Sequence, residues 1–188
     1  MQIERTRLDG VLLFTPRRHA DERGWFSRTA DAATLHRAGI EWSDFVQDSQ
    51  SRSRRGVVRG LHGRSGGGEA KLVRCAYGAL FDVVVDARPT SKTFGRWQGF
   101  QLDDVNMCSI YVPRGMLHGF QALTTVADTC YRIDAEHDPA ENVTVRWNDA
   151  QLGVQWPLPI TTLSLGDLTA PSWSDLVGQL DTMGAPTW

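Results

Sequence analysis

Residues 81–88 read Phe81-Asp82-Val83-Val84-Val85-Asp86-Ala87-Arg88, three valines in a row between two acids. β-Branched side chains are stiff at χ1 and pack best on a pleated surface, so this stretch favours an extended strand. Strand alternation then puts Asp82, Val84 and Asp86 on one face and Phe81, Val83, Val85 and Ala87 on the other. Two acids on one face predict that this face is wet or lines a polar cavity. Further short segments of the same kind occupy 10–16, 45–51, 56–62, 70–77, 97–102, 109–112, 119–123, 127–133 and 143–147. They carry β-branched or aromatic residues and are punctuated by Gly, Pro, Asp or Asn. With 79–88 that makes about ten strands in a chain of 188 residues, too many for one open layer. The chain is therefore expected to be all-β, a β-sandwich or barrel, of which the jelly roll is the commonest form. Helical signals are confined to 31–38, with Asp31 as cap and Gly39 as stop, and to 174–180 after Pro171. Ser65-Gly66-Gly67-Gly68 interrupts strand-like sequence on both sides, so it reads as a mobile loop within one domain spanning 1–188.

Charge and composition narrow the function. Lys and Arg total 20 against 22 Asp and Glu, so no bulk field recruits nucleic acid or an anionic membrane surface. Apolar runs such as Val11-Leu12-Leu13-Phe14 fall far short of the roughly 20 residues a membrane span needs. The start lacks the basic-then-apolar layout of a signal peptide. Three cysteines, Cys75, Cys108 and Cys130, without C-x-x-C spacing suggest neither a disulfide framework nor a zinc knuckle. A reducing cytoplasm is the expected setting.

The chemistry must come from few residues. His19, His36 and His137 sit among charges and read as surface groups. His62 ends the β-patterned run Gly56-Val57-Val58-Arg59-Gly60-Leu61-His62, and His118 follows the turn Val112-Pro113-Arg114-Gly115. They are either two histidines satisfied at strand ends or two pointing into one barrel. The string from Pro113 to His118 resembles the second motif of the cupin superfamily, whose histidine often binds metal. The first cupin motif needs H-x-H, and here the counterpart is His62-Gly63-Arg64. Two histidines make a three- or four-ligand metal site hard to assemble, so no metal is expected. Proton transfer is the better fit, because imidazole titrates near neutral pH. Lys71, inside the otherwise apolar Ala70-Lys71-Leu72-Val73, is either a sheet-edge lysine or a cation for an oxyanion or enolate. Tyr131 is either a core tyrosine or a general acid. Base, cation and acid together describe proton abstraction alpha to a carbonyl and reprotonation. Arg59 and Arg23 offer planar phosphate contacts. Arg59 and His62 have opposite strand parity, however, and share a cavity only if Gly60 allows a bulge.

Many ordered motifs, taken together, resemble one family. They are Asp21-Glu22-Arg23-Gly24-Trp25-Phe26, Phe45-Val46-Gln47-Asp48, Arg59-Gly60-Leu61-His62, Ala70-Lys71-Leu72-Val73-Arg74, the strand 81–88, Thr93-Phe94-Gly95-Arg96-Trp97, Val112-Pro113-Arg114-Gly115 with His118-Gly119-Phe120, and Trp147-Asn148-Asp149. The sequence resembles the dTDP-4-dehydrorhamnose 3,5-epimerase family of nucleotide-sugar epimerases from about Asp21 to about Asp167. The resemblance implies a metal-free, cofactor-independent cupin-type jelly roll and a homodimer in which an N-terminal strand crosses to the partner. Its substrate would be a nucleoside-diphosphate-linked 4-keto-6-deoxyhexose, inverted at C3, C5 or both. His62 would be the base and Asp167 its dyad partner. Lys71 would stabilise the enolate, and Tyr131 would reprotonate from the opposite face. Arg59 and Gln47 would hold the nucleotide diphosphate, His118 would line the sugar pocket, and Arg23 and Phe26 would serve the neighbouring subunit's site.

The sequence also departs from that family. Its usual Glu that accepts from thymine N3–H is Arg28, a pure donor that suits cytosine N3 and O2 instead. Its Q-D-N is Gln47-Asp48-Ser49, the Lys before the dyad Asp is Gly166, H-Y-Q is His62-Gly63-Arg64, and a later Tyr-Tyr pair falls on Glu136-His137. A mono-epimerase on a CDP- or other nucleotide-linked sugar is therefore the alternative. A cupin metalloenzyme and a non-catalytic sugar-nucleotide-binding jelly roll are further ones. Trp156, Trp173 and Trp188 are expected to cover the barrel or a dimer seam.

Overall fold

The structure, a computed structural model, describes residues 1–182. Its strands are β1 (Gln2–Arg5), β2 (Leu12–Thr15), β3 (Arg18–Asp21), β4 (Gly24–Ser27), β5 (Gln47–Arg54), β6 (Val58–Arg64), β7 (Lys71–Tyr77), β8 (Ala79–Asp86), β9 (Trp97–Asp103), β10 (Ser109–Val112), β11 (Met116–Ala122), β12 (Val126–Ile133) and β13 (Asn142–Thr144). Three short helices join them: α1 (Ala32–Arg37), α2 (Leu165–Leu168) and α3 (Trp173–Thr182). One antiparallel sheet runs β1-β2-β10-β7-β12-β5, and a second runs β13-β6-β11-β8-β9. They form a sandwich of the jelly-roll type, the architecture expected from the strand count. β3 and β4 pair only with each other, as a separate two-stranded arm.

The apolar residues explain why the sheets meet. Val73, Leu80, Val84, Leu102, Ile110, Phe120 and Ala127 come from both sheets and fill the space between them, each essentially dry. A fully buried Val, Leu or Phe contributes roughly 1.5–3 kcal/mol relative to an exposed one. The outer face of the five-stranded sheet is covered as well. Leu61, Val83, Val85 and Leu117 pack there against Trp173, Leu176 and Leu180 of the C-terminal helix, with Trp156 alongside. Trp156 and Trp173 thus cover the sandwich, while Trp188 lies outside the described residues. The outer face of the other sheet receives α1, through Leu35 against Phe14 and Leu72. α1 starts where Asp31 accepts from the Thr34 amide at 2.9 Å, and Gly39 at φ +76° follows its C-cap.

Three readings change. Of the two readings of the β8 face that carries Asp82 and Asp86, wet or lining a polar space, the first fails, because both side chains are 0% exposed. Each acid has instead found buried partners. Asp86 accepts from Arg88 Nε at 2.9 Å, Ser91 Oγ at 2.5 Å and Thr93 Oγ1 at 2.6 Å, and these bonds hold its carboxyl below the ordinary value although burial alone pushes it up. β1, β3 and β4 were invisible to apolar patterning because their side chains are almost all exposed, and α2 is only one turn long. The turn before His118 is present at Arg114–Gly115, but β11 starts directly after it at Met116 and not at Gly119, so His118 lies within the strand.

Candidate active site

Register decides which side chains look into the sandwich. On β7, Leu72 packs outward under α1, so Lys71 and Val73 point inward. β7 lies between β10 and β12, which rules out the sheet-edge reading of Lys71. Opposite them on β12 stand Ile133 and Tyr131, and opposite those on β5 stand Gln47 and Ser49. β5 reads Gln-Asp-Ser-Gln-Ser-Arg-Ser-Arg, and its odd-numbered members are half-buried or buried while the even-numbered ones are exposed. A strand with no large apolar residue persists here because its inner face meets polar partners, Ser51 against the Tyr131 hydroxyl and Ser53 against Arg59.

β6 supplies the facing wall. His62 stands opposite His118 on β11, and Arg59 opposite Phe120, so four residues of β6 stand against three of β11. That bulge restores Arg59 and His62 to one face, the condition their opposite parity set. Gly60 makes it possible: its φ is +127°, and a Cβ there would lie 2.5 Å from Gly119 Cα. Arg59 then rests its Nε on Ser53 Oγ at 3.0 Å, which brings the guanidinium to the mouth beside β5.

Two histidine–carboxylate pairs result. His62 Nε2 is 2.6 Å from Asp167 Oδ1, with the imidazole 43% exposed and the carboxylate 4%. An acceptor-only carboxylate at Nε2 fixes the proton on that nitrogen and leaves the lone pair on Nδ1. Asp167 is held in turn. Ser164 caps α2 by accepting the Asp167 amide at 3.1 Å and donates its hydroxyl to Asp167 Oδ2 at 2.8 Å. Burial raises the Asp167 carboxyl, and the bonds from His62 and Ser164 more than offset it, so the carboxyl sits below its ordinary value. The second pair is His118 Nε2 to Asp82 Oδ2 at 2.8 Å, with exposures of 5% and 0%. The His118 ring meets Tyr131 edge-on, 6.2 Å between centroids. Tyr131 shares a 3.1 Å hydrogen bond with Ser51 Oγ, and burial pushes its phenol up to about 12, so it stays protonated at neutral pH.

The structure therefore gathers His62, Asp167, Lys71, Tyr131, His118, Gln47, Ser49 and Arg59 around one inter-sheet space. Arg23, Phe26 and Arg28 are not part of it. Arg23 is bound to Asp21 at 2.5 Å on the free-standing β3–β4 arm, and Phe26 and Arg28 are exposed. Ser164, Ser51, Asp82 and Glu69 were missed as site residues. Ser164 had a signal, the S-x-x-D spacing of a helix start. Glu69, whose Oε1 is 2.7 Å from Lys71 Nζ, had none. Among the described residues no group of three or more His, Cys, Asp or Glu could hold a metal ion, and no helix is long and apolar enough to cross a membrane. The buried cysteines stay outside this chemistry; burial raises the Cys75 thiol to about 12.

A jelly-roll sandwich whose open end holds a carboxylate-fixed imidazole and a protonated tyrosine is a cupin-type scaffold equipped for proton transfer. Known proteins give the family. The sequence model of dTDP-4-dehydrorhamnose 3,5-epimerase matches residues 5–175. A protein of that name from Salmonella typhimurium is 37% identical over 173 residues, 91% of this chain and 94% of the relative. A dTDP-4-dehydrorhamnose 3-epimerase from Streptomyces niveus is 38% identical over 175 residues, covering 90% and 83%. The crystal structure of dTDP-6-deoxy-D-glucose-3,5-epimerase from Legionella pneumophila, in complex with dTDP-4-keto-L-rhamnose, superimposes with a TM-score of 0.90 at 35% identity, over 100% of this chain and 98% of that one. The chain belongs to the dTDP-4-dehydrorhamnose 3,5-epimerase family and is an epimerase of that family.

Proposed function

We propose that the protein inverts C3, C5 or both of a dTDP-linked 4-keto-6-deoxyhexose, with His62 as base and Tyr131 as acid. One observation carries this reading: an imidazole fixed by a buried carboxylate opens into the same space as a protonated phenol on the other sheet. The 4-keto group acidifies the hydrogens at C3 and C5. Inversion requires removal on one face of the ring and return on the other, so base and acid must stand on opposite walls. His62 Nδ1 takes the proton, and Asp167 stabilises the imidazolium that forms. Lys71 receives the charge that develops on the keto oxygen, as a fixed cation in a space poor in water. Tyr131 returns a proton to carbon, a task suited to an acid whose own basicity matches that of an enolate. The electrons never leave the substrate, so the reaction requires no redox cofactor.

Arg59, Gln47 and Ser49 lie at the mouth and hold the nucleotide diphosphate, and His118 closes the sugar end beside Tyr131. Arg23, Phe26 and Arg28 sit on an arm that buries almost nothing, and an isolated hairpin of this size is marginal in water. A homodimer in which each arm completes the neighbouring site gives the arm a surface to pack on. Epimerisation at one carbon only is the second reading, because a 3-epimerase is as similar to this chain as the 3,5-epimerases are. Incubation in deuterated water with dTDP- and CDP-linked 4-keto-6-deoxyglucose tests the proposal by proton NMR. Loss of both the C3 and C5 signals is expected of a 3,5-epimerase, and loss of one of a mono-epimerase. Exchange confined to the CDP sugar would assign the carrier to Arg28's preference, and exchange with neither would refute the proton-transfer roles.

A further inference from the structure

The loop between β6 and β7 returns to the barrel through Glu69. Its three glycines, 66 to 68, have φ of 62°, 105° and 71°, and its return leg is pinned where Ala70 N–H donates to Asp134 Oδ1 at 2.7 Å. The Glu69 carboxylate thereby enters the space that Lys71 faces. Oε1 lies 2.7 Å from Lys71 Nζ, and Oε2 lies 3.9 Å from Arg64 Nη1, with side-chain exposures of 18%, 11% and 12% for Glu69, Lys71 and Arg64. Arg64 already has closer partners, Glu141 Oε2 at 2.5 Å and the Glu136 carbonyl. Two of the departures noted in the sequence, Arg64 and Glu136, are thus one contact, and it forms the wall behind Glu69. An ionised carboxylate offers about four acceptor sites, and a single short ion pair uses one of them.

We propose that Glu69 is a specificity-determining residue that accepts a hydrogen bond from the hexose hydroxyl vicinal to the keto group, the C3 hydroxyl. The proposal rests on the reading above, in which Lys71 takes the 4-keto oxygen. A carboxylate in direct contact with that ammonium stands beside the next ring oxygen. The substrate class is then the 4-keto-6-deoxyhexoses that keep oxygen at C3. Inversion at C3 swings this hydroxyl between the ring plane and the ring axis, whereas inversion at C5 leaves it in place. The hydrogen bond therefore persists unchanged through the C5 step, so it enters the kcat/KM of C5 exchange as uniform binding, whereas the C3 step must break and remake it.

The test reads C5–H exchange in deuterated water, a signal that two substrates share: nucleotide-linked 4-keto-6-deoxyglucose and its 3-deoxy counterpart. A hydrogen bond to a charged acceptor predicts that the unaltered protein favours the 3-hydroxy sugar by a factor of about 10–100 in kcat/KM. In Glu69→Ala this ratio falls to near one, and in the isosteric Glu69→Gln it falls to an intermediate value. Any loss of Lys71 placement slows both sugars alike and cancels in the ratio. A ratio that is the same in all three proteins, or near one in the unaltered protein, overturns the role of Glu69. The underlying reading fails separately: Lys71→Met with full C5 exchange would remove Lys71 from the keto oxygen, and Glu69 from its neighbour.

Discussion

The two histidine–aspartate pairs use the same ring nitrogen at nearly the same distance, 2.6 Å for His62–Asp167 and 2.8 Å for His118–Asp82. What separates them is access. The His62 ring is 43% exposed and its carboxylate comes from a helix turn outside the sheets, whereas His118 and Asp82 are both strand residues sealed between the sheets. The sealed pair uses one Asp82 oxygen and leaves the buried Oδ1 without a hydrogen-bond partner among the described residues, and it fixes the position of its neighbours. A pair with one open imidazole can also exchange a proton with something that enters. Geometry alone does not make a base; the open face of the ring does.

Substitutions can break this contrast. His62→Ala should lower C–H exchange by about 10²–10⁴-fold while leaving the fold intact, measured by NMR exchange beside a thermal melt. His118→Ala should act first on stability. It strands the Asp82 carboxylate in a dry core, which costs about 3–5 kcal/mol of stability, read as a lower midpoint in urea. If His118→Ala melts like the unaltered protein, the sealed pair is not the structural one. Gly60→Ala tests the bulge that aims His62 and Arg59 together. A Cβ against the Gly119 backbone at φ +127° should cost roughly 2–4 kcal/mol and should weaken nucleotide binding through Arg59 in calorimetry.

The smallest effect sharpens the comparison through pH. Asp167 has its carboxyl held below the ordinary value of 3.8, so its contribution to stability is present above pH 3.8 and is lost as the pH falls through the lower folded value. Ser164→Ala removes one of the bonds responsible and the helix cap, at a cost of about 1 kcal/mol near neutral pH. The stability gap between Ser164→Ala and the unaltered protein should narrow on acidification below pH 3.8, in denaturant titrations at a series of pH values. A gap independent of pH would assign the whole loss to the cap.

The same contrast shows what the sequence could reveal. Strands β7, β8, β10 and β12 were legible because apolar side chains mark their buried faces. β5 was half legible, because its buried face is Ser and Gln, and such a strand makes sense only once its polar partners are known. The β3–β4 arm carried no pattern, since its side chains bury nothing within the chain. Among site residues, His62, Lys71 and Tyr131 stood out by residue type within the strand pattern, His118 by the turn before it, and Asp167 by resemblance alone. Asp82 was half legible: alternation gave its face correctly and left wet or polar-lined open, because it could not give the histidine that lets an acid stand dry. Glu69 sits in a glycine loop where no periodicity constrains side-chain direction, so its contact with Lys71 required coordinates.

The central claim is that base and acid occupy opposite walls, and Tyr131→Phe tests it most directly. The variant keeps the ring that packs against His118 and loses only the hydroxyl. In deuterated water it should still wash deuterium into the recovered substrate through His62, while formation of the inverted sugar falls by about 10²–10⁴-fold. Inverted sugar formed at the unaltered rate would contradict the account, because the returning proton would then have come from somewhere other than Tyr131.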